Sequence, residues 1–526
     1  MGYTSLSFIV FCIAVCLVFF CIPRKYRWPW LLAMSLLFHF IASKALTLYL
    51  VGDIVVVWLC GLLIQRKKDK FNAIKKEIDK AERKIVKKQF EKREKLIEFI
   101  GIAVLLSVLL VLKYSPMFVS GAFGLARLFG ANAETPLIRF ALPLGISYYT
   151  LTGISYMADI RMGKLTAEKN PLRLATFISF FPHIVEGPFS RYGDLTPTLF
   201  MPDAFDYDRF RAGLLRVIWG FGKKMILADR AAFVVNPVFA DPGAFRGPHI
   251  FAAMALYTVQ IYAEFSGAMD IVTGLCEMMG IHLAENFRQP FFSRSIDEFW
   301  QRWHITLGAW LRDYVFYPIT FSKGMQKLSA KCREKLGGYY GAILPATLAL
   351  FAVWFLIGLW HGASLKYVFY GLYYYILMTI AKLAKPATDK LRINRDTRLY
   401  RGFEIGRTCL AVLVGMTIFR ADTVGQAFSM TAMIFTRPSV AAFTDGSLFA
   451  FAKFSWPDAV IIVLALAAVI FVDIRKESGH SPRETLVKQK HGVFAWIAVV
   501  LGLLLLMILG IYGQGSGASP LIYGQF

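Results

Sequence analysis

LVGDIVVVWLCGLLIQRKKDKFNAIKKEIDKAERKIVKKQFEKREKLIEFIGIAVLLSVLLVLKYS, from Leu50 to Ser115, sets an apolar run on each side of a basic stretch. Apolar runs of this kind suit hydrocarbon about 30 Å thick. The intervening segment 65–95 carries 14 basic and 6 acidic residues, the mark of a loop held on one side of a membrane. Working outward, further spanning candidates fall at 5–22, 29–46, 137–158, 342–360, 366–384, 404–420, 457–473 and 493–512, beside 50–64 and 97–115. Composition agrees: 56% of residues are hydrophobic, 18% are charged, and the mean hydropathy is +0.52. Length alone would suggest several soluble domains, but a soluble chain with so little polar surface would expose large apolar patches.

The net charge of +24 raises a nucleic-acid reading, which the placement of the charge excludes. With the amino terminus outside, the segments 23–28, 65–95, 161–173, 321–335, 382–401 and 475–490 fall inside and hold 38 of the 59 Lys and Arg residues. Outside segments hold few: Arg127 in 116–136, Arg437 and Lys453 in 421–456, none in 513–526. The asymmetry sets both termini outside a plasma membrane. The first run, Leu6 to Phe20, is followed by Arg24, Lys25 and Arg27, the reverse of a signal peptide's charge order, so it is expected to stay as a membrane helix. Seven cysteines form no CxxC pair and sit mostly in apolar runs, so neither a disulfide nor a metal site is expected.

The fold class expected is an all-α polytopic membrane protein of about 10–14 spans, one integral membrane domain over 1–526. Within it, 65–95 is a basic cytoplasmic loop with a thin apolar stripe of Ile74, Ile78, Ile85 and Phe90. That stripe suits an interfacial helix touching anionic lipid, or a docking surface for an acidic carrier or nucleotide donor. The segment 174–320 is an irregular core: 174–190 holds Pro182, His183, Glu186 and Pro188, while 250–281 is interrupted by Glu264 and Asp270. Polar, irregular backbone survives at membrane depth only inside protein or around a water-filled cavity. The functional centre is therefore expected here and just after it, and 513–526 is expected as an extracellular tail.

Two histidines stand out. His304 lies in SRSIDEFWQRWHITLGAWLRDYVFYP, Ser293 to Pro318. Ser295 followed by Glu298 predicts a helix starting near Ile296, with Trp300, His304, Leu307 and Leu311 along one face. An imidazole among so many tryptophans is expected to be buried and neutral. His361 lies in FLIGLWHGASLKYVFYGLYYY, Phe355 to Tyr375, where Gly358, Gly362, Ala363 and Ser364 leave room for another molecule. A neutral imidazole beside a hydroxyl can take its proton as the oxygen attacks a thioester. Spacing alone leaves two structural histidines as the alternative. Asp270, Glu264 and Glu186 read as internal partners for Arg or Lys, and Trp303, Trp310 and Trp360 as packing more than substrate stacking.

Six ordered blocks add information: LPLGISYYT (Leu142 to Thr150), FFPHIVEGPFSRY (Phe180 to Tyr192), GKKMILADR (Gly222 to Arg230), AEFSGAMDIVTGL (Ala263 to Leu275), ENFRQPFFSRSIDEFWQRWHITLGAWLRDYVFYP (Glu285 to Pro318) and GLWHGAS (Gly358 to Ser364). Together they resemble the membrane-bound O-acyltransferase family, in its bacterial branch of polysaccharide O-acetylation proteins such as those acting on alginate. The resemblance implies a ring of tilted helices around a central tunnel, a donor approaching from the cytoplasm and an acceptor from outside. It implies His361 as catalytic base and His304 as a second catalytic position on the donor side. Trp303, Trp310, Asp313, Trp360 and Ser364 become tunnel candidates. No bound cofactor or metal is implied. The acyl donor would be acetyl-CoA, and the partners a cell-surface polysaccharide or an extracellular transferase, besides membrane lipid. This sequence departs from the family at SGAMD (Ser266 to Asp270), at Lys366 and after Pro318.

The tail YGQGSGASPLIYGQF, Tyr512 to Phe526, resembles aromatic-rich endings in related systems, which makes Tyr523 a candidate acyl relay whose phenol His361 deprotonates. Rival readings are D-alanyl transfer to teichoic acid and a transporter using the same buried polar residues. The topology has a direct check. Cysteines placed in 65–95 or 382–401 should resist an impermeant thiol reagent on intact cells, while one in 513–526 should label readily. The opposite pattern would reverse the orientation.

Overall fold

Lipid offers a backbone no hydrogen-bond partners, so spanning segments must satisfy their own N–H and C=O groups as helices. The computed structural model describes residues 5–130, 140–390, 394–449, 454–488 and 492–512. Among them every regular element is helical, apart from one isolated β-bridge between Phe287 and Trp303. Five stretches are long and apolar enough to cross a membrane: Arg24–Ile74, Lys80–Arg127, Lys323–His361, Arg398–Arg420 and Trp456–Glu477. Leu6–Cys21, Val424–Thr436 and Val493–Leu509 are shorter apolar helices. The protein is an all-α polytopic membrane protein. The first of the five stretches contains both expected spans 29–46 and 50–64, divided by the 3-10 turn Lys44–Leu46.

The chain falls into two compact units, Tyr3–Asp206 with Met279–Ala284, and Tyr207–Met278 with Glu285–Phe526. In the first, the basic segment 65–95 is not a separate surface helix. It forms the ends of two helices, Thr47–Ile74 and Lys80–Leu109, joined by a short turn in which Asp79 caps the second by accepting from the N–H groups of Ala81 and Glu82. The helix Ile146–Met162 packs against both and is buried over most of its length. Small residues allow the approach: a Cβ on Gly61 would meet Ile160 at 3.1 Å, one on Gly101 the Met157 sulfur at 2.8 Å, and one on Gly153 Val57 at 2.6 Å. Lys68 pairs with Glu94, and Arg161 with Glu98, which ties the basic ends together.

The second unit is organised by the helix Gly247–Met278, 32 residues long, roughly 48 Å at the α-helical rise. The sequence had suggested interruption over 250–281, and the helix instead runs through Glu264 and Asp270 without a break. Its neighbour Tyr207–Phe221 lies antiparallel to it with backbone against backbone. A Cβ on Gly213 would sit 2.6 Å from the Gly274 carbonyl oxygen, and one on Gly220 would sit 2.5 Å from that of Gly267. Each glycine pair is separated from the other by about two helical turns, and Arg216 and Asp270 lie between them. Asp270 accepts from Arg216 Nε at 2.8 Å and meets Lys223 Nζ at 2.6 Å. Nearly two helical turns from Asp270, Glu264 lies 3.4 Å from Lys224, which also contacts Asp229 at 2.7 Å. Asp270 and Glu264 thus have the basic partners expected of them, and this is why neither ends the helix. Glu186, in the first unit, is also buried.

Gly220→Val should force these two backbones apart and cost about 1–3 kcal/mol, seen as a lower thermal transition in detergent. Gly222→Ala is the control, since a Cβ there meets nothing within 4 Å. Equal transitions for the two variants would remove close packing as the basis of the contact.

Candidate active site

Past Met278 the chain leaves the helix and crosses Glu285, Asn286 and Phe287 before Ser295 caps the next helix by accepting from the Glu298 N–H at 3.1 Å. The Glu298 carboxylate reaches back to the Arg294 N–H at 2.8 Å. The start near Ile296 is as the sequence predicted, but one continuous helix carrying His304 on its face does not form. The helix Ile296–Arg302 stops, Trp303 is extended (φ −109°, ψ 128°), His304 is left-handed (φ 49°, ψ 49°), and a second helix runs Ile305–Leu311. Trp300 and His304 therefore do not share a helical face.

A broken helix exposes backbone groups that must find partners, and the preceding loop supplies them. Arg288 N–H donates to Arg302 O at 2.9 Å, and Ile305 N–H donates to Asn286 O at 3.0 Å. The Asn286 side chain completes the repair. Its Oδ1 accepts from Thr306 N–H at 3.1 Å and Thr306 Oγ1 at 2.9 Å, and lies 3.2 Å from His304 Nδ1. Left-handed backbone at a non-glycine residue costs on the order of 1–3 kcal/mol and persists only where surroundings enforce it. Here they include Phe265, whose ring meets the His304 ring edge-on at 4.8 Å.

His361 ends the helical stretch Lys323–His361, which breaks at Gly337 (φ 76°, ψ 177°), and the part after the break pairs with Leu365–Lys390 as a hairpin. The hairpin closes tightly because a Cβ on Gly358 would sit 2.4 Å from Tyr367 O, and one on Gly371 would sit 2.2 Å from Trp354 O. Gly362 does the same for the Tyr367 ring, which a Cβ there would meet at 2.6 Å. The His361 ring is buried among Trp360, Phe419 and Tyr370, at 4.8, 5.0 and 5.6 Å between centroids.

Both histidines line one cavity of ≈ 850 Å³. Its wall includes Trp300, Trp303, Gly308, Thr347, Trp354 and Ile357, and it extends to Arg312, Tyr339, Lys382 and Lys385. Tyr339 donates to the Lys382 carbonyl at 2.8 Å, whereas Gly358 faces Tyr367 beside His361. From Tyr339 to Gly358 is roughly 28 Å of helix, so the basic residues and His361 lie toward opposite ends of the hairpin. Lys382 pairs with Asp297 and Lys385 with Asp389.

Of the tunnel candidates, Trp303 lines this cavity and is stacked on Phe299 at 5.5 Å. Trp360 does not line it, but its ring centroid lies 5.7 Å from that of His304 and 4.8 Å from that of His361. Trp310 is buried against Tyr314, Asp313 accepts from Arg312 Nε at 2.9 Å, and Ser364 is half-buried with its carbonyl bonded to the Tyr367 N–H; none of the three lines the cavity. Tyr523 lies outside the described residues. Asn286 was not singled out from the sequence, although it sits in the block Glu285 to Pro318, because a helix reading of His304 gives it no task. Tyr370 and Phe419 were missed for a different reason, since apolar helices conceal which aromatic turns toward a neighbour.

Comparison with known proteins agrees with this picture. The profile of MBOAT, the membrane-bound O-acyltransferase family, matches residues 166–330. The probable alginate O-acetylase AlgI of Azotobacter vinelandii is 33% identical over 371 residues, 70% of this chain and 68% of that protein. Its namesake from Pseudomonas aeruginosa is 34% identical over 337 residues, 64% of this chain and 60% of that one. The teichoic acid D-alanyltransferase of Bacillus subtilis is 33% identical over 246 residues, 45% of this chain and 58% of its own length. The matches to several of these relatives therefore span less than two thirds of their length. A helical membrane chain with two histidines on one cavity, a matching profile, and a relative similar over two thirds of both chains belongs to the membrane-bound O-acyltransferase family.

Proposed function

We propose that this protein transfers an acyl group, acetyl, from a cytoplasmic thioester to a hydroxyl of a cell-surface polysaccharide or of a partner transferase. The observation that carries the reading is the shared cavity of His304 and His361. His361 takes the proton of the attacking hydroxyl as its oxygen bonds the thioester carbonyl carbon. The C–S bond then breaks, and the imidazolium returns the proton to the leaving thiolate. His304 supports the donor. A cavity walled by Trp300, Trp303 and Trp354 restricts water, which protects the thioester from hydrolysis.

The donor we propose is acetyl-CoA. Arg312, Lys382 and Lys385 form the basic part of the cavity wall, suited to the phosphates of a nucleotide-bearing thioester. The charge reading puts 382–401 on the cytoplasmic side, the side from which such a donor comes. Acetyl is favoured over D-alanyl because the similarity to the alginate O-acetylase relatives extends over 64–70% of the chain, against 45% for the D-alanyltransferase.

His361→Ala should abolish acetyl transfer from acetyl-CoA in reconstituted vesicles while expression and thermal transition stay normal. Near wild-type turnover would remove the general-base role. His304→Ala should be milder, acting more on donor KM than on kcat. Lys382→Ala with Lys385→Ala should raise the KM for acetyl-CoA about thirtyfold with little change in kcat, each lost contact to phosphate being worth on the order of 1 kcal/mol. An unchanged KM would show that the nucleotide binds elsewhere.

A further inference from the structure

The hydrogen bonds around Asn286 decide which nitrogen of His304 carries its proton. Three groups converge on Asn286 Oδ1, and one of them, the Thr306 backbone N–H at 3.1 Å, can only donate. The side-chain atom it meets is therefore the amide oxygen, which can only accept. The other amide position agrees: Nδ2 points at the Met269 sulfur, a weak acceptor, at 3.1 Å. His304 Nδ1, 3.2 Å from that oxygen, must then be the protonated ring nitrogen. In a neutral imidazole the remaining nitrogen, Nε2, holds the lone pair.

We infer that Asn286 is a positioning residue that fixes His304 in the Nδ1-protonated tautomer, so that His304 serves the acyl-transfer site as a hydrogen-bond acceptor through Nε2 and not as a proton donor. The same oxygen holds the start of the Ile305–Leu311 helix through Thr306, so the tautomer and the left-handed turn at His304 are set together. Neutral His304 has no proton at Nε2 to give a leaving thiolate. On the acyl-transfer reading, that proton must come from the His361 imidazolium, which received it from the attacking hydroxyl, and the balance closes on one histidine. The catalytic consequence rests on the proposed function. The tautomer rests on geometry alone.

The test is the full-length protein in nanodiscs, labelled with ¹⁵N on its histidine rings, with the His304 signals identified by their loss in His304→Gln. Wild-type protein should show the proton on Nδ1 and none on Nε2 at neutral pH. Asn286→Ala should move the proton to Nε2 or mix the two forms, and lower acetyl transfer at least tenfold. Asn286→Asp keeps an acceptor for all three donors, and should restore the Nδ1-protonated signal and most of the turnover. Thr306→Val removes only the hydroxyl and should leave the tautomer unchanged. A proton on Nε2 in the wild-type spectrum overturns the inference even if no Asn286 variant folds. So does an Asn286→Ala spectrum identical to wild type. Because the spectrum does not depend on the reaction, the expected tautomer in a protein that transfers no acetyl would count against the proposed function and for this inference.

Discussion

The amide oxygen of Asn286 holds the site together. It accepts from a backbone N–H, a hydroxyl and a ring nitrogen at 3.1, 2.9 and 3.2 Å, all presented by His304 and Thr306. An unsatisfied polar group in a buried site costs several kcal/mol, so a helix can break there only where the protein itself answers the freed groups. Asn286 and its own carbonyl answer two of them, and Arg288 a third. The break allows an imidazole to stand at a helix junction, where its two nitrogens have separate surroundings. On the face of an intact helix the neighbouring turns would crowd it.

The loop bearing Asn286 is placed in turn by the glycine-lined helix pair that precedes it. Backbone contact between Tyr207–Phe221 and Gly247–Met278 brings Arg216 and Lys223 onto Asp270. Arg216 also reaches the Glu285 carboxylate with both terminal nitrogens at 2.6 Å. Glu285 adjoins Asn286. A buried ion pair contributes less net stability than its Coulomb attraction suggests, but breaking one by removing a partner costs about 3–5 kcal/mol. Such a pair therefore favours one register over others. Arg216, buried against Asp270, also holds the exposed Glu285 carboxylate and so links the long helix to the residue before Asn286.

These dependencies explain what the sequence disclosed. Membrane class and helical architecture follow from long apolar runs and were legible from composition. His304 and His361 were legible as a pair because ionisable residues are rare among so many apolar ones, and their blocks resemble a family. The continuous helix through Glu264 and Asp270 was not legible. Its charges look like interruptions until Arg216, Lys223 and Lys224, distant in sequence, are brought beside them. The break at His304 was hidden for a similar reason. Ser295 and Glu298 promise a helix, and nothing local in Phe299 to Leu311 ends it. The cause is Asn286, whose competing hydrogen bonds appear only when the loop folds over the helix. Trp310 and Asp313 were tunnel candidates from the block that resembles the family, and they pack on Tyr314 and pair with Arg312 without lining the cavity.

The two histidines occupy the same kind of position for a common physical reason. His304 begins the Ile305–Leu311 helix and His361 ends Lys323–His361. Helix sides in this unit are taken up by close packing, as Gly358 and Gly371 show, and a substrate channel through such packing would sacrifice buried contacts along its length. Helix ends are already irregular, so placing reactive groups there disturbs least. The aromatic side chains then restore rigidity. Phe265 and Trp360 flank His304, while Trp360, Tyr370 and Phe419 surround His361. Rings have few rotatable bonds and pack edge-to-face at defined distances, so they hold an imidazole in place. Trp360 touches both histidine rings, and a displacement of either would be felt by the other through it.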